Sequence, residues 1–166
     1  MRAVRLLDER FRQDPAHYVV QTLLAFASIA VIVVVMGVLT NGTIVASLGA
    51  SAFIVFAMPH YKTARPRNLI GGHVLCMSIG LVCSVPFRLG VVPSNELTVG
   101  LIAAAAVSLA IFAMAVTDTE HPPAAGNALA FSVSLVGFGH ILFTLGTVVL
   151  FALVRYMLRG WLRDLA

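Results

Sequence analysis

The chain has 166 residues, a length that fits one domain, with 60% apolar residues, 11% charged residues and a mean hydropathy of +0.97. These values lie outside the range of soluble globular domains and predict an all-helical integral protein of the lipid bilayer. The net charge of +4 does not indicate a nucleic-acid partner, because the basic residues collect at the ends of apolar segments, where they set topology.

The first 17 residues form a predicted arm in front of the membrane domain. Residues 1–17 carry four arginines and three acidic residues, and the first long apolar stretch begins after them at Tyr18. This pattern predicts a cytoplasmic amphipathic helix, and a simple cluster of topogenic charges explains it equally well. Because no small-residue cleavage site follows the apolar stretch, we expect a retained span and not a signal peptide.

Six apolar segments follow the arm. They cover residues 18–39, 44–58, 68–87, 97–116, 122–137 and 139–157. Only three reach the ~20 residues that a full crossing needs, and helix breakers flank the short ones. If all six cross, ten Lys and Arg residues lie on the cytoplasmic side and Arg88 alone lies outside. With five spans, seven Lys and Arg residues lie inside and four outside. With four spans, eight lie inside and three outside. We therefore favour six segments in the inner (plasma) membrane, with both termini cytoplasmic.

The six segments divide into two sets of three, residues 18–87 and 97–157. With an odd number per set, the second set enters the membrane from the opposite side, which predicts a 3+3 inverted repeat. Residues 46–53 and 124–131 match at four of eight positions. These are the two short segments, where transporter repeats place their substrate sites.

Two prolines mark the start of the fifth segment. Pro122 and Pro123 fit the first turn of a helix, where a missing N–H needs no partner, and they force an extended approach at His121. A helix of about 16 residues is ~24 Å long, so its amino terminus should lie below the membrane surface and favour an anion. Because the prolines delete two donors, the His121 side chain, the Ala124 N–H and the Asn127 amide would bind the anion. A rigid turn without a ligand is the alternative.

A second cluster precedes the third segment. Pro66 is expected to begin this helix, with Arg67 and Asn68 in its first turn, where a cation added to the helix dipole favours an anion. Gly71 and Gly72 remove side chains, so another backbone can approach closely. The neighbouring basic residues can instead be anchors of a cytoplasmic loop.

The apolar segments contain no Asp, Glu, Lys or Arg in their interiors. A buried carboxylate that binds Na⁺ or relays protons is therefore not expected. The histidines remain as groups that titrate near neutral pH and can couple a proton to an anion: His60, His73, His121 and His140. His73 and Cys76 share a helix face, but two ligands are too few for a metal site, so neither a metal nor a cofactor is expected.

Three motifs resemble the HPP family of integral membrane proteins. In chain order they are SLGASA at 47–52, ARPRNLIGGH at 64–73 and EHPP at 120–123. The resemblance covers about residues 42–154. Members are small membrane proteins of bacteria, cyanobacteria and plastids, usually described with four spans, and plastid members are associated with nitrite transport, which implies anion transport here by analogy. Many members are richer in Gly and Thr after the prolines, where this chain has Ala124, Ala125 and Asn127, so its substrate can differ.

The leading hypothesis is a channel or secondary transporter for a small inorganic anion, nitrite or nitrate first, with a proton accompanying it through His121 or His73. The amino termini of two short helices would point toward the middle of the bilayer. The predicted site contains His121, Ala124, Asn127, Gly49, Ala50, Ser51, Arg67, Asn68 and His73. The rival hypothesis is a non-transporting scaffold or a subunit of a larger membrane complex, whose small-residue faces bind partner helices. An enzyme is not expected, because no nucleophile, base and orienting residue occur together. We also expect a homo-oligomer.

Overall fold

The fold is an all-helical bundle in the computed structural model, which describes residues 9–36, 42–134 and 136–165. Within these ranges lie seven α-helices and no strand: α1 Glu9–Gln13, α2 Pro15–Met36, α3 Gly42–Ala57, α4 Pro66–Arg88, α5 Glu96–Val116, α6 Ala125–Val133 and α7 Phe138–Leu158. Two short 3-10 turns, Lys62–Ala64 and Pro122–Ala124, precede α4 and α6. By length and apolar composition, α4, α5 and α7 can each cross a membrane.

Each of the six predicted segments corresponds to one helix, α2 to α7. The bounds of α3, α4, α5 and α7 agree with the predicted ones to within two residues. Of the predicted arm, residues 1–8 lie outside the described ranges, residues 9–13 form α1, and α2 already begins at Pro15. The prediction of an all-helical membrane protein is therefore confirmed, and the predicted inverted repeat stays a prediction.

The fifth segment is shorter than predicted. The two prolines form a 3-10 turn, and α6 that follows has only nine residues. The prediction of a 16-residue helix starting at Pro122 was wrong, because Ser134 adopts an extended conformation (φ −106°, ψ 149°) and ends the helix. Hydropathy cannot locate this break, since apolar residues continue on both sides of it. At about 13 Å, α6 crosses less than half of the hydrocarbon core.

Contacts between helix ends show that α2 to α7 alternate in direction. The Tyr18 hydroxyl near the start of α2 donates to the Leu165 carbonyl (2.9 Å), and the Leu165 N–H donates to the Ala57 carbonyl at the end of α3 (2.8 Å). At the start of α4, Arg67 donates to the Thr117 carbonyl at the end of α5 (3.0 Å). All these contacts lie at one end of the bundle, which we call the basic end.

The charges are divided between the two ends as the six-segment count predicts. The basic end carries Lys62, Arg65, Arg67, Arg155, Arg159 and Arg163. Arg88 lies at the opposite end, where its guanidinium donates to the Val136 carbonyl before α7 (3.3 Å). Because α6 and α7 are separate helices with different directions, the arrangement in which residues 122–157 form one helix does not occur.

Helices α4 and α6 run parallel and pack closely at the centre of the bundle. A methyl group on Gly80 of α4 would lie 2.7 Å from the Ala128 carbonyl oxygen and 2.8 Å from Cβ of Phe131. Phe131 is completely buried. Only glycine therefore allows this contact, which we call the α4–α6 seam.

Close approach also occurs near the start of α4, as the sequence predicts. Pro66 is the first residue of α4. A methyl group on Gly72 would lie 2.9 Å from Cβ of His121 and 3.0 Å from the Thr119 carbonyl oxygen, and one on Gly71 would lie 3.1 Å from the Thr119 side chain. The two glycines thus let the chain before α6 lie directly on α4.

We expect Gly80→Ala to lower the stability of the bundle by about 1 to 3 kcal/mol, because the added methyl group overpacks the α4–α6 seam. The matched control is Gly146→Ala in α7, where a methyl group meets nothing within 4 Å. That change should be neutral or stabilise by up to about 1 kcal/mol, since alanine has the higher helix propensity. Thermal unfolding of both variants in the same detergent measures the difference. Equal melting temperatures would contradict the close seam.

Candidate functional site

A cluster of buried polar side chains lies where α3, α4 and the turn before α6 meet. Its members are Ser51 of α3, His73 of α4, His121 before the prolines and Asn127 of α6, all with 0% exposure. A polar group without a hydrogen-bond partner is costly in such a place. The arrangement of the partners therefore shows what the cluster can do.

The four side chains form one continuous hydrogen-bonded chain, which we call the relay. Ser51 Oγ lies 2.9 Å from Nε2 of both His73 and His121. Nδ1 of His73 lies 2.7 Å from Nδ2 of Asn127, and Nδ1 of His121 lies 2.8 Å from the Thr63 carbonyl oxygen. The relay thus extends from the half-buried 3-10 turn before α4 to the buried start of α6.

Ser51 has a third contact that connects the relay to the backbone of α3. Its hydroxyl lies 2.9 Å from the Ser47 carbonyl oxygen, one helical turn earlier. The Ser47 hydroxyl in turn donates to the Pro123 carbonyl (2.6 Å). One face of α3 therefore holds both the relay and the turn before α6.

The positions of the protons in the neutral relay follow from the number of donors. A carbonyl only accepts, so Nδ1 of His121 carries a proton and its Nε2 is an acceptor. Ser51 has one hydroxyl proton and cannot donate to both imidazoles. Nε2 of His73 must therefore donate to Ser51, and its Nδ1 accepts from the Asn127 amide. All four bonds then point in one direction, from Asn127 to the Thr63 carbonyl.

The same heavy-atom positions accommodate one additional proton. When His121 carries two protons, both imidazoles can donate to Ser51, whose hydroxyl then turns to the Ser47 carbonyl. The proton can also move on to His73, because Oδ1 of Asn127 has no partner among the described residues. Rotation of the amide would place this acceptor against Nδ1 of His73. An extra proton thus costs the relay none of its hydrogen bonds.

The cost of the extra proton is instead electrostatic. A buried imidazolium without a counter-charge is strongly unfavourable, and the four members of the relay include no carboxylate. A small anion beside the protonated relay would offset this cost. Proton binding and anion binding at this site would therefore favour each other.

Ala124 is buried in the turn before α6, but its N–H is not free for a ligand. It donates to the His121 carbonyl at 2.9 Å. This N–H was predicted to bind the anion, and the 3-10 turn corrects that prediction, because its i to i+3 bond uses the donor. The extended conformation predicted for His121 is confirmed (φ −139°, ψ 92°).

Gly49 and Ala50 lie outside the relay, contrary to the predicted site. Ala50 is exposed, and a methyl group on Gly49 would meet nothing within 4 Å. Both belong to other faces of α3 than Ser47 and Ser51, which are four residues apart and therefore adjacent on the helix. The spacing of these two serines was the sequence signal for the correct face.

The starts of the two short helices α3 and α6 were predicted to meet near the middle of the bilayer, and they do not meet. Helix α3 has 16 residues and ends at the basic end, so its start lies about 24 Å from the basic end along the helix. The turn before α6 instead meets α3 at Ser47, five residues and about 7.5 Å along the helix from its start. The site therefore has one buried helix start and not two.

Arg67 and Asn68 hold the loop before α6 instead of facing the relay. The Arg67 side chain is 68% exposed and lies 3.8 Å from an Asp118 carboxylate oxygen. Asn68 is buried, and its amide donates to the Glu120 carbonyl (3.2 Å). Both residues thus position the loop that carries His121.

Lys62 adds an ion-pair cluster to the same loop. It hydrogen-bonds the Asp118 carboxylate and lies 3.0 Å from a Glu120 carboxylate oxygen. The hydrogen bond with Asp118 raises the pKa of Lys62 and lowers the pKa of Asp118. A hydrogen bond with its own backbone and then one with Lys62 lower the pKa of Glu120. The ion pairs stabilise the folded protein only while all three groups are charged, so this contribution is lost as the pH falls through the lowered carboxyl pKa values or rises through the raised pKa of Lys62. The contribution is small because the groups are exposed.

The other two predicted histidines lie elsewhere. His60 is exposed beside Asp164 (3.4 Å), and Nδ1 of His140 accepts from the Gly137 N–H at the start of α7 (3.2 Å). Within the described parts of the chain, no three His, Cys, Asp or Glu side chains are grouped so that they could hold a metal ion. Only His73 and His121 are brought together, with ring centroids 5.2 Å apart.

Comparisons with known proteins agree with the motifs noted in the sequence. A family model described as "HPP, transmembrane region" matches residues 10–160. Two transmembrane proteins of Dictyostelium discoideum are similar to the chain, one 40% identical over 86 residues and one 39% identical over 83 residues. These matches cover 52% and 50% of this chain but only 28% and 25% of the relatives, so the chain spans about a quarter of their length. No solved structure matches.

We expect Ser51→Ala to lower the free energy of unfolding by about 1 to 3 kcal/mol, because it removes the shared partner of two buried imidazoles. The matched control is Ser78→Ala in α4, whose exposed hydroxyl only donates to the Val74 carbonyl of its own helix. That variant should stay close to the wild-type protein. Thermal unfolding in detergent compares the two, and an unchanged melting temperature for Ser51→Ala would contradict the bridging role.

Proposed function

The chain belongs to the HPP transmembrane family, and from this premise we propose that it is a secondary transporter that moves a small inorganic anion together with a proton. Nitrite is the first candidate and nitrate the second, by the resemblance to plastid relatives. The observation that carries the proposal is the Ser51 hydroxyl between two buried imidazoles.

The relay has the properties of a proton carrier for a transporter. Imidazole is the side chain whose ordinary pKa lies near physiological pH, so it can load and release a proton in a working cycle. Ser51 lets the relay hold either proton number with every hydrogen bond retained. Such a site can change its charge repeatedly without local unfolding.

The positive charge of the protonated relay, which we call the loaded relay, indicates that the transported substrate is an anion. A buried positive charge needs a counter-ion, and the helix dipole of α6 adds partial positive charge at the same place. A monovalent anion and one proton together form a neutral load, which crosses a low-dielectric core at a much lower cost than either ion alone. The proposal therefore predicts coupling of one proton to one anion.

The basic end is the proposed cytoplasmic end. The Lys and Arg side chains in its loops and at its helix ends fit the positive-inside rule, which would put both termini in the cytoplasm of an inner (plasma) membrane. The relay begins at the half-buried turn of this end, at the Thr63 carbonyl. A proton that enters together with the anion would thus be released to the cytoplasm through this turn.

For transport, we predict that purified protein in liposomes takes up nitrite faster when a pH gradient makes the side from which nitrite enters acidic. Nitrate, chloride and formate are compared at the same ionic strength, with empty liposomes as the reference. Uptake without any effect of the gradient would indicate a channel. No flux of any of the four anions by folded protein would overturn transport and favour the scaffold hypothesis.

A further transport prediction concerns the proton carried by His121 in the relay. We expect His121→Gln to reduce gradient-driven uptake by about 100-fold or more, because an amide keeps a hydrogen bond but cannot carry the proton. Anion exchange without a gradient should be reduced much less. The control is His60→Gln, an exposed histidine outside the relay, which should transport like the wild-type protein. Equal gradient dependence in both variants would contradict the role of His121.

A further inference from the structure

A cavity lined by serines and one arginine lies at the opposite end of the bundle from the Thr63 end of the relay. It has a volume of about 220 Å³ and lies between the end of α4, the start of α5 and the end of α6. Four serines and one arginine line it, together with three apolar residues: Ser84, Ser94, Ser132, Ser134 and Arg88, with Phe87, Val99 and Val133. A water molecule takes up about 30 Å³ in the liquid, so the cavity has room for a small anion with several waters.

The arginine of this cavity is an exposed residue that two hydrogen bonds orient. Nε of Arg88 donates to the Ser84 hydroxyl (2.9 Å), and one terminal nitrogen, Nη2, donates to the Val136 carbonyl (3.3 Å). The Ser84 hydroxyl itself donates to the Leu81 carbonyl (2.7 Å), which orients its oxygen toward the guanidinium. A guanidinium oriented in this way retains donors for a ligand, since it has five N–H groups in total.

The cavity also contains hydrogen-bond donors beside the Arg88 guanidinium. Ser94 is exposed and Ser134 is half-buried, and neither hydroxyl, nor Nη1 of Arg88, has a hydrogen-bond partner among the described residues. The residues that line the cavity include no acidic side chain that would neutralise the guanidinium. The cavity thus offers a cation and hydroxyl donors, which is the chemistry that recognises a small anion.

The cavity and the relay lie at the two ends of the same pair of helices. Ser84 is 11 residues after His73 on α4, a distance of about 16 Å along the helix. Between them, the α4–α6 seam at Gly80 and the buried Phe131 close the path. The cavity therefore has the position of a receiving site for an anion that later reaches the relay.

We propose that the Arg88 cavity is a binding site for a small monovalent anion on the non-cytoplasmic side, separated from the relay by the α4–α6 seam. This inference rests on the proposed function, because it assigns the place where the transported anion first binds. Nitrite, nitrate and chloride share the required charge and size. Loss of the guanidinium should weaken anion binding by about tenfold or more, which is typical for a hydrogen bond to a charged group.

A labelling experiment tests binding independently of transport. Ser94→Cys is introduced into a Cys83→Ser background, where the remaining Cys76 is completely buried. The purified protein in lipid nanodiscs is labelled with a membrane-impermeant thiol reagent in increasing nitrite, with gluconate keeping the ionic strength constant. Nitrite should slow the labelling of Cys at position 94. Arg88→Gln should shift the midpoint of this protection upward by about tenfold or more.

Three further variants separate the causes. Arg159→Gln removes an equal charge at the basic end and should leave the protection midpoint unchanged. Arg88→Lys keeps the charge without the planar fork and should give a smaller shift than Arg88→Gln. If Arg88→Gln does not fold, Ser134→Asp keeps the arginine and adds a carboxylate to the cavity, which should abolish the protection.

The outcomes distinguish this inference from the proposed function. Protection that depends on Arg88, together with nitrite flux in liposomes, supports both. Protection without flux supports the anion site and overturns the transporter. Flux without protection overturns the Arg88 site and leaves the transporter in place. Protection that Arg159→Gln weakens as much as Arg88→Gln would also overturn the site, because it would reflect net charge alone.

Discussion

The Ser51 hydroxyl between two imidazoles is the contact on which the rest of the structure depends. One oxygen with one proton and two lone pairs meets Nε2 of His73 and of His121, both at 2.9 Å, and the Ser47 carbonyl. Since all of these groups are buried, the backbone must hold them in place without help from bulk water. The glycines of α4, the prolines before α6 and the serine face of α3 each serve this requirement.

The local structure around His121 shows how the requirement is met. Gly72 allows the loop to lie on α4, and Asn68 donates to a carbonyl of this loop. The prolines then turn the chain back into the bundle, where Ser47 donates to the Pro123 carbonyl. His121 is therefore fixed from three sides, and its side chain can only reach Ser51 and the Thr63 carbonyl. Such a fixed residue suits a proton carrier, because the distances from His121 to Ser51 and to the Thr63 carbonyl stay constant while the charge of His121 changes.

Much of this arrangement could be predicted from the sequence, and the exceptions have physical reasons. The apolar lengths, Pro66 and the charge distribution were sufficient to locate four of the helices within two residues and to predict their alternation. The predicted site contained both His73 and His121, but their connection through Ser51 could not be predicted, because it joins residues 48 positions apart through a third residue on α3. The donor at Ala124 was misjudged, since two prolines without N–H groups favour a 3-10 turn that uses this N–H internally. The end of α6 has no signal in hydropathy, because it depends on the backbone of Ser134.

The short length of α6 suggests how the two ends could communicate in the proposed cycle. Helix α6 is a unit of nine residues, with a 3-10 turn before it, and the described residues Ser134, Val136 and Gly137 after it are not helical. Neither flank is continuous helix, so α6 can move relative to α4 without bending a long helix. The seam at Gly80 is the close contact that such a movement would open, and Asn127 on α6 would then change its distance to His73. Because the loaded relay needs an anion to offset its charge, protonation would favour the arrangement in which an anion reaches it. Proton loading and the opening of the seam would then be coupled through Asn127, the one member of the relay that α6 carries.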